Sequence, residues 1–507
     1  MIEYINMVDY YKKNVRVRLA PSPSGNLHFG TVRTGLFNWL FARNQGGKFI
    51  LRIEDTDIER SSQKYEENII NGLKWLGLNW DEGPTPPKDG EIRNYLGDYG
   101  PYRQSERLDI YEKYLRRLLD EKKAYYCFCS KEQLELDRQA MLAQGLAPKY
   151  SGRCSRFSEK ENAKKLANAE PAVIRFRMPA TEIEFNDLIR GKIKSDVSLI
   201  GDVVLARNLR SPLFIFSNAV DDYEMKITHV IRGEDHISNT PKQILIQKAL
   251  GFDEIKYAHL PLILAPNKTK LSKRFLETNL DDYKKQGYLS EAILNFLALI
   301  GWHPKDEREI LSVEELIKEF DLKRVQKAGA IFNVEKLDWL NNQYIKKTEQ
   351  ADLINKLKDF VPAEWLSDKN KKLFAKAVAV EKERMKKLTD FKELARFFFE
   401  LPEYKDDLLI WPRPKPAEKI NKEKTFNNLK LLLEEINKIF KVDFNTRNLE
   451  KTIIPLSEVW GRGELLWPLR AALSGKEASP GPFEIMEAIG KEEIIRRLKI
   501  AIEKLAP

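Results

Sequence analysis

The stretch VRVRLAPSPSGNLHFG, residues 15–30, decides how the fold begins. Its first six residues predict a strand and PSPSG predicts a loop. The run that follows to Asn44 predicts a helix, because apolar residues recur at one-turn spacing from Leu36 to Phe41. FILRI, residues 49–53, then predicts a second strand. A strand, a helix and a strand in this order indicate an α/β fold, since parallel strands need such a crossover.

The loop between the first strand and the helix is suited to an anion. Backbone N–H groups at a helix start favour negative charge, and Gly25 and Gly30 allow a phosphate to approach closely. His28 can donate a hydrogen bond to a phosphate oxygen, or it can simply cap the helix. Gly30 and Gly35 have the spacing of a Walker loop, but the required Lys and Ser/Thr are absent. The loop therefore favours a phosphate site of another kind.

A second basic loop, KLSKR at 270–274, follows ITHVIRGEDH at 227–236, where the strand pattern resumes. Two ammonium groups and a guanidinium can neutralise a triphosphate and the charge that develops as pyrophosphate leaves. A basic pentapeptide alone is usually a surface loop. Two phosphate-type loops around an interrupted sheet, however, resemble the arrangement of class I aminoacyl-tRNA synthetases.

Longer motifs resemble those of bacterial glutamyl-tRNA synthetases over nearly the whole chain. They are RLAPSPSGNLHFGTVRTGLFN, FILRIEDTD, GPYRQSERLDIY, YYCFCS, VDDYEMKITHVIRGEDHISNTPKQ, KLSKR and RAALSGKEASPGPFEIMEAIG. The resemblance implies a Rossmann-type catalytic domain with an inserted acceptor-binding domain, then a helical stem-contact region and an α-helical anticodon-binding cage. The expected divisions are the catalytic halves 14–123 and 218–275, the insertion 124–217, the stem-contact region 276–345 and the anticodon-binding region 346–507.

The resemblance also assigns candidate site residues. Glutamate has two carboxylates and one ammonium, so it needs guanidinium forks and an acidic group. The implied glutamate-binding residues are Arg18, Ala20, Ser22, Glu54, Phe214, Asn218 and Arg232. The implied catalytic residues are His28, Gly30, Lys270, Ser272 and Lys273, and ATP is expected at His28, Asp235, Lys273 and Arg274. Phe214 departs from the family, which commonly has a tyrosine there.

Three cysteines, too few for a disulfide scaffold, lie close together in the sequence. With one tyrosine they resemble the zinc knuckle that some of these enzymes carry in the insertion, the expected ligands being Cys127, Cys129, Tyr150 and Cys154. Phenolate is an unusual zinc ligand. The alternative is that the three thiols are simply buried.

Composition agrees with a globular enzyme that acts on a polyanion. The formal net charge is +10, which favours nucleic acid without identifying one. The polar, charged start lacks the apolar stretch of a signal peptide, and no run is long enough to cross a membrane, so the cytoplasm is expected.

The implied reaction joins L-glutamate to tRNA(Glu) with ATP and Mg²⁺, through glutamyl-adenylate, in an enzyme that is expected to be a monomer. Four alternatives stay open: an enzyme that also charges tRNA(Gln), a glutamyl-queuosine tRNA ligase, a small-molecule nucleotidyltransferase, and a non-catalytic tRNA-binding paralogue. The roughly 160 residues after 346, longer than many whole domains, argue against the queuosine enzyme. The intact His28, Gly30, Lys270 and Lys273 argue against the paralogue.

Overall fold

The computed structural model describes residues 15–57, 59–85, 94–269, 271, 279–412 and 422–506. They divide into two compact units. The first runs to Tyr283 and includes Ile293–Val334; the second contains Lys284–Ala292 and the chain from Glu335 onward. The finer division predicted from the sequence stays a prediction. Among the described residues, no helix is long and apolar enough to cross a membrane.

The first unit contains all the strands of the described residues. In chain order they are β1 (Arg16–Leu19), β2 (Lys48–Leu51), β3 (Gly83–Pro84), β4 (Tyr95–Leu96), β5 (Ala124–Cys127), β6 (Val173–Phe176), β7 (Glu182–Asp187), β8 (Gly191–Asp196), β9 (Val204–Asn208), β10 (Ser211–Pro212), β11 (His229–Gly233), β12 (Lys256–Leu260), β13 (Ile263–Leu264) and β14 (Ala330–Ile331).

The helices alternate with these strands at first and then follow one another. They are α1 (Phe29–Gln45), α2 (Gln63–Trp75), α3 (Leu108–Asp120), α4 (Lys131–Ala143), α5 (Glu159–Ala167), α6 (Phe214–Glu224), α7 (Thr240–Leu250), α8 (Leu280–Lys285), α9 (Ser290–Leu299), α10 (Val313–Glu319), α11 (Val334–Lys347), α12 (Gln350–Leu357), α13 (Lys371–Glu381), α14 (Asp390–Phe399), α15 (Lys422–Lys438), α16 (Thr446–Trp460), α17 (Arg462–Ser474), α18 (Pro482–Ile489) and α19 (Lys491–Leu505).

The predicted β-α-β beginning is confirmed. β1 and β2 pair in parallel with α1 between them, and the apolar residues of both strands are buried. Gly46 ends α1 with φ 64°, a left-handed conformation that glycine adopts without steric strain. β11 and β12 also pair in parallel, and the Thr228 N–H donates to the Arg16 carbonyl at 2.9 Å. This bond joins the amino ends of β1 and β11, and residues near the carboxyl ends of both strands line one cavity.

The segment predicted as an insertion contributes to two sheets. β5, β6, β9 and β10 form an antiparallel sheet of their own. The hairpin of β7 and β8 instead extends the sheet of β11 and β12, with Asp187 paired in register to Tyr257. Residues along β7 alternate between exposed and buried, but this alternation does not show which sheet edge the hairpin joins.

The second unit is helical throughout its described residues, apart from short 3₁₀ turns and loops, as the sequence predicts. Its core is built from the apolar stripes of successive helices. Leu353, Phe391, Leu432, Leu469 and Leu498 are examples, and each is fully buried. Each helix has an apolar face that is stable only against a neighbour, so these helices assemble into one bundle.

Candidate active site

A cavity of about 560 Å³ lies in the first unit beyond the carboxyl ends of β1 and β11. Ligands of open α/β sheets bind at such ends. Every residue expected to contact glutamate lines this cavity, as do the expected ATP contacts His28 and Asp235 and the expected catalytic residue Gly30. Four further predicted residues lie outside the described residues, namely Lys270, Ser272, Lys273 and Arg274. Leu271, from the same pentapeptide, lines the cavity.

Arg18, at the end of β1, is held by an ion pair. Its Nε donates to Asp222 Oδ1 at 3.0 Å, and Nη2 donates to Oδ2 at 3.4 Å. Both side chains are buried. Burial alone would raise the pKa of Asp222, but the charges of Arg18 and Arg52 outweigh it and hold that pKa below its usual value. The Arg18 fork is therefore fixed in place.

Glu54, which follows β2, belongs to the same network. Its Oε1 accepts from Arg52 Nη2 at 3.0 Å and from Asn218 Nδ2 at 2.8 Å. Burial raises the pKa of Glu54 although Arg52 and Arg18 oppose it. A positively charged group entering the cavity would stabilise the ionised carboxylate.

In the group of ion pairs behind the cavity, the positive and negative side chains are equal in number. Arg52 contacts Glu54, Asp221 and Asp222, while Arg107 donates to Asp221 Oδ1 at 2.7 Å. With Arg18, three guanidinium groups thus face three carboxylates. Breaking such a buried pair is strongly destabilising, because it leaves an uncompensated charge.

Arg232, at the end of β11, does not belong to these ion pairs, because its hydrogen-bond partners among the described residues are neutral. Nη2 donates to Thr240 Oγ1 and Gln243 Oε1, both at 2.7 Å, and Nε donates to His259 Nε2 at 3.3 Å. Nη1 is buried and has no hydrogen-bond partner among the described residues. Burial lowers the pKa of Arg232 to about 10, so the group stays charged at neutral pH. A buried cation without an anion is a strong site for a carboxylate.

His28 caps α1, and Gly30 leaves space for its ring. The Thr31 N–H donates to His28 Nδ1 at 3.4 Å. A Cβ on Gly30 would lie 3.1 Å from both Nδ1 and Cε1 of that ring, closer than ordinary packing allows. The His-x-Gly spacing is thus explained by the close approach of the imidazole to the helix backbone. The exposed ring lines the cavity at the positive end of the helix.

Phe214 begins α6 and is half-buried, with its ring centroid 5.2 Å from that of His236. Burial, aided by the charge of Arg232, lowers the pKa of His236 to about 4, so this imidazole is neutral at physiological pH. This side of the cavity is therefore more apolar than the side formed by Arg18 and Glu54.

Several residues that hold the site together were not among the candidate site residues predicted from the sequence. They are Arg52, Asp221, Asp222, Thr240, Gln243 and His259. Most belong to motifs quoted above, yet their roles depend on partners far away in the chain. Asp222, for example, binds an arginine 204 positions earlier. One usable signal was a charged residue within an otherwise apolar stretch of sequence, as at Arg52 in FILRI.

A second cluster lies at β5, where the three cysteines and Tyr150 come together. The Sγ atoms of Cys127, Cys129 and Cys154 all lie within 4.8 Å of one another. The Tyr150 hydroxyl is 3.3 Å from Cys127 Sγ and 3.6 Å from Cys129 Sγ. Burial raises the pKa of Cys129 to about 11, whereas bonds from Tyr150 and Arg175 hold that of Cys127 below its usual value. All four predicted ligands are thus brought to one place.

Comparisons with known proteins agree with this architecture. The family described as tRNA synthetases class I (E and Q), catalytic domain, matches residues 14–339, and the anticodon binding domain family matches residues 352–502. The fold and the cavity are therefore those of a class I aminoacyl-tRNA synthetase.

Individual relatives show which class I synthetase family is matched. Glutamate–tRNA ligase 1 of Thermoanaerobacter sp. (strain X514) is 43% identical, over 96% of this chain and 99% of its own length. The glutamate–tRNA ligase of Sulfurihydrogenibium sp. (strain YO3AOP1) is 42% identical over 96% of the chain and 99% of its own length. A crystal structure of a glutamate tRNA ligase from Elizabethkingia meningosepticum, in complex with its amino acid, superimposes with a TM-score of 0.84 at 38% identity, covering 97% of this chain and all of that one. The chain belongs to the glutamate–tRNA ligase family.

Proposed function

We propose that this enzyme binds L-glutamate and MgATP in the cavity and transfers the glutamyl group to tRNA(Glu) for protein synthesis in the cytoplasm. One observation above all supports L-glutamate as the amino-acid substrate. The cavity contains a buried guanidinium, at Arg232, whose hydrogen-bond partners in the described part of the chain are all neutral, together with the carboxylate of Glu54. A ligand with carboxylates and an ammonium group complements this arrangement.

In the proposed complex, Arg232 receives one carboxylate of glutamate and Glu54 faces the ammonium group. Arg18, Asn218, Ala20 and Ser22 complete the pocket. Because Asp222 already holds Arg18 in position, little side-chain entropy is lost when the substrate binds. These roles were expected from the sequence, and the convergence of the residues on one cavity supports them.

ATP is proposed to lie against the start of α1. The backbone N–H groups there and the exposed ring of His28 favour the phosphates, and Gly30 keeps the backbone accessible. Mg²⁺ enters with ATP, since magnesium in such sites is held largely by phosphate oxygens and water. Lys270 and Lys273 are proposed to neutralise the leaving pyrophosphate, on the sequence grounds given above.

The chemistry then needs positioning and charge neutralisation rather than a covalent enzyme intermediate. The α-carboxylate oxygen of glutamate attacks the α-phosphorus of ATP, and pyrophosphate leaves with the electrons of the broken P–O bond. A ribose hydroxyl of the terminal adenosine of tRNA then attacks the acyl carbon. AMP leaves, and one proton is released.

The tRNA is proposed to contact both units. Residues 124–217 are the proposed acceptor-binding segment, and the helical unit, which matches an anticodon binding domain family, is proposed to bind the anticodon. We propose a monomer, which sedimentation of the free enzyme checks.

We also propose zinc at the cysteine cluster, because the donor set fits it. Tetrahedral zinc with Zn–S bonds of about 2.3 Å places its sulfur ligands roughly 3.8 Å apart. Cys129 Sγ and Cys154 Sγ are 3.5 Å apart. Metal analysis of protein purified without chelators should find one zinc per chain, and Cys154→Ser should lose it. A fully active, metal-free wild-type sample would exclude the site.

Charging assays test the proposed function. The purified enzyme should attach glutamate to tRNA(Glu) in the presence of ATP and Mg²⁺, and active cognate tRNA that stays uncharged would refute the proposal. A parallel assay with tRNA(Gln) decides whether that tRNA is also a substrate. Pyrophosphate exchange without any tRNA, in an enzyme unable to charge tRNA, would instead indicate a small-molecule nucleotidyltransferase.

A further inference from the structure

Three neighbouring strands each contribute one polar side chain to a continuous chain of hydrogen bonds that ends at the cavity. β11 contributes Arg232, β12 contributes His259 and β7 contributes Asp187. Arg232 and His259 are direct partners in the register of β11 and β12. Asp187 Oδ2 and His259 Nδ1 are 2.7 Å apart, and His259 Nε2 accepts from Arg232 Nε at 3.3 Å. All three side chains are buried.

Asp187 has the contacts of an ionised carboxylate. Its Oδ1 accepts the backbone N–H groups of Ile189 at 2.9 Å and Arg190 at 2.7 Å, and Oδ2 accepts that of His259 at 3.0 Å. Burial opposes ionisation, but these donors and the imidazole outweigh it and hold the pKa of Asp187 below its usual value. An ionised carboxylate only accepts hydrogen bonds. The hydrogen of His259 must therefore be on Nδ1.

The opposite nitrogen of His259 then carries a lone pair. Burial lowers the pKa of this imidazole, so it is neutral at physiological pH. Nε2 accepts from Arg232 Nε, and Thr240 Oγ1 lies 2.9 Å away. In the other tautomer, or in the imidazolium, an N–H would face the N–H of Arg232. That arrangement would push the guanidinium away from its observed position.

We infer that Asp187 and His259 are positioning residues for glutamate: Asp187 selects the His259 tautomer whose Nε2 holds the Arg232 fork in place for a substrate carboxylate. This inference rests on the proposed role of Arg232. Thr240 and Gln243 fix the other side of the guanidinium, which leaves Nη1 without a partner among the described residues. Asp187 lies within the segment predicted as the acceptor-binding insertion, so that segment also contributes to amino-acid binding.

Two matched variants of His259 distinguish a positioning role of this side chain from a role in packing alone. His259→Leu keeps a side chain of similar size but removes the acceptor nitrogen. It should raise the KM for glutamate about 10- to 100-fold, the range for loss of a hydrogen bond to a charged group. His259→Gln can present an oxygen to Arg232 and should recover most of the loss. The KM for ATP should change less than about twofold in both, because the contact affects only the amino-acid subsite.

Two further variants complete the set. Asp187→Asn should raise the KM for glutamate because an amide can accept or donate and no longer selects one tautomer. His229→Gln is the control: His229 is the first residue of β11, the strand that contains Arg232, and it does not line the cavity, so the KM for glutamate should stay as in the wild type. Equal rises in the KM for glutamate and for ATP in His259→Leu would indicate general damage and overturn the inference.

A measurement on the wild-type enzyme keeps the test independent of mutant folding. The ¹⁵N shifts of the His259 ring should show a neutral imidazole protonated at Nδ1, with His259→Gln used to assign the signals. An Nε2-protonated ring would overturn the inference. If Arg232→Lys raises the KM for glutamate while His259→Leu and Asp187→Asn do not, the inference fails and the proposed function stands. If the wild-type enzyme charges no tRNA, the proposed function itself fails.

Discussion

Replacing Asp222 by Asn removes one anion from the balanced network behind the cavity. Asp222 accepts from Arg18 Nε at 3.0 Å and from Arg52 Nη1 at 2.7 Å, and all three side chains are buried. An Asn keeps the size of the side chain but leaves three guanidinium groups facing two carboxylates. Breaking a buried ion pair in this way costs about 3–5 kcal/mol of unfolding free energy. In a unit this large, that lowers Tm by roughly 4–7 °C.

Differential scanning calorimetry at pH 7 measures this shift in the transition of the first unit. Asp109→Asn is the matched control: Asp109 is exposed and pairs with Arg210 at 2.6 Å, so its loss should leave Tm unchanged. The folded-state pKa of Asp222 is depressed, so its stabilisation is present above the unfolded value of about 3.9 and is lost as pH falls below it. The difference between wild type and variant should therefore be constant above about pH 5 and shrink below it. Equal Tm values at pH 7 would refute the argument.

Three other substitutions test the cavity directly. In Gly30→Ala, the added Cβ would lie 3.1 Å from the His28 ring and should displace it. The KM for ATP should therefore rise about tenfold or more. An unchanged KM for ATP in steady-state charging would contradict this. Glu54→Gln keeps the acceptor for Arg52 but removes the charge facing the ammonium group, so the KM for glutamate should rise about 10- to 100-fold while that for ATP stays constant. Phe214→Tyr restores a hydroxyl and should lower the KM for glutamate about two- to tenfold, whereas no change would mean that the hydroxyl finds no partner.

Local parts of the fold could be predicted from the sequence. The spacing of apolar residues from Leu36 to Phe41 and the glycine at 46 indicate where α1 lies and where it ends, and the structure agrees within a residue at its carboxyl end. The helical character of the chain after Lys346 was equally visible. In each case the deciding interactions lie within a few residues, so the sequence pattern reports them directly.

The arrangement of the hairpin from Glu182 to Asp196 could not be predicted in this way. Its pairing with β12 depends on which sheet edge is open after the chain has folded. The same limit applies to the site. The motifs singled out Arg18, Glu54 and Arg232. No local pattern, however, shows that Asp222 pairs with Arg18, or that the hydrogen-bond partners of Arg232 among the described residues are neutral.

The sequence by itself therefore determined the family, the β-α-β beginning, the helical character of the second unit, and the residue types that a phosphate and a dicarboxylic amino acid require. Only the tertiary structure decided which charges are compensated and which remain available to a substrate. The physical reason is that electrostatic energy in a buried site depends on distances between groups far apart in the chain. Arg18 and Arg232 are the same residue type in two quoted motifs, and only their folded surroundings make one a fixed ion pair and give the other neutral hydrogen-bond partners among the described residues.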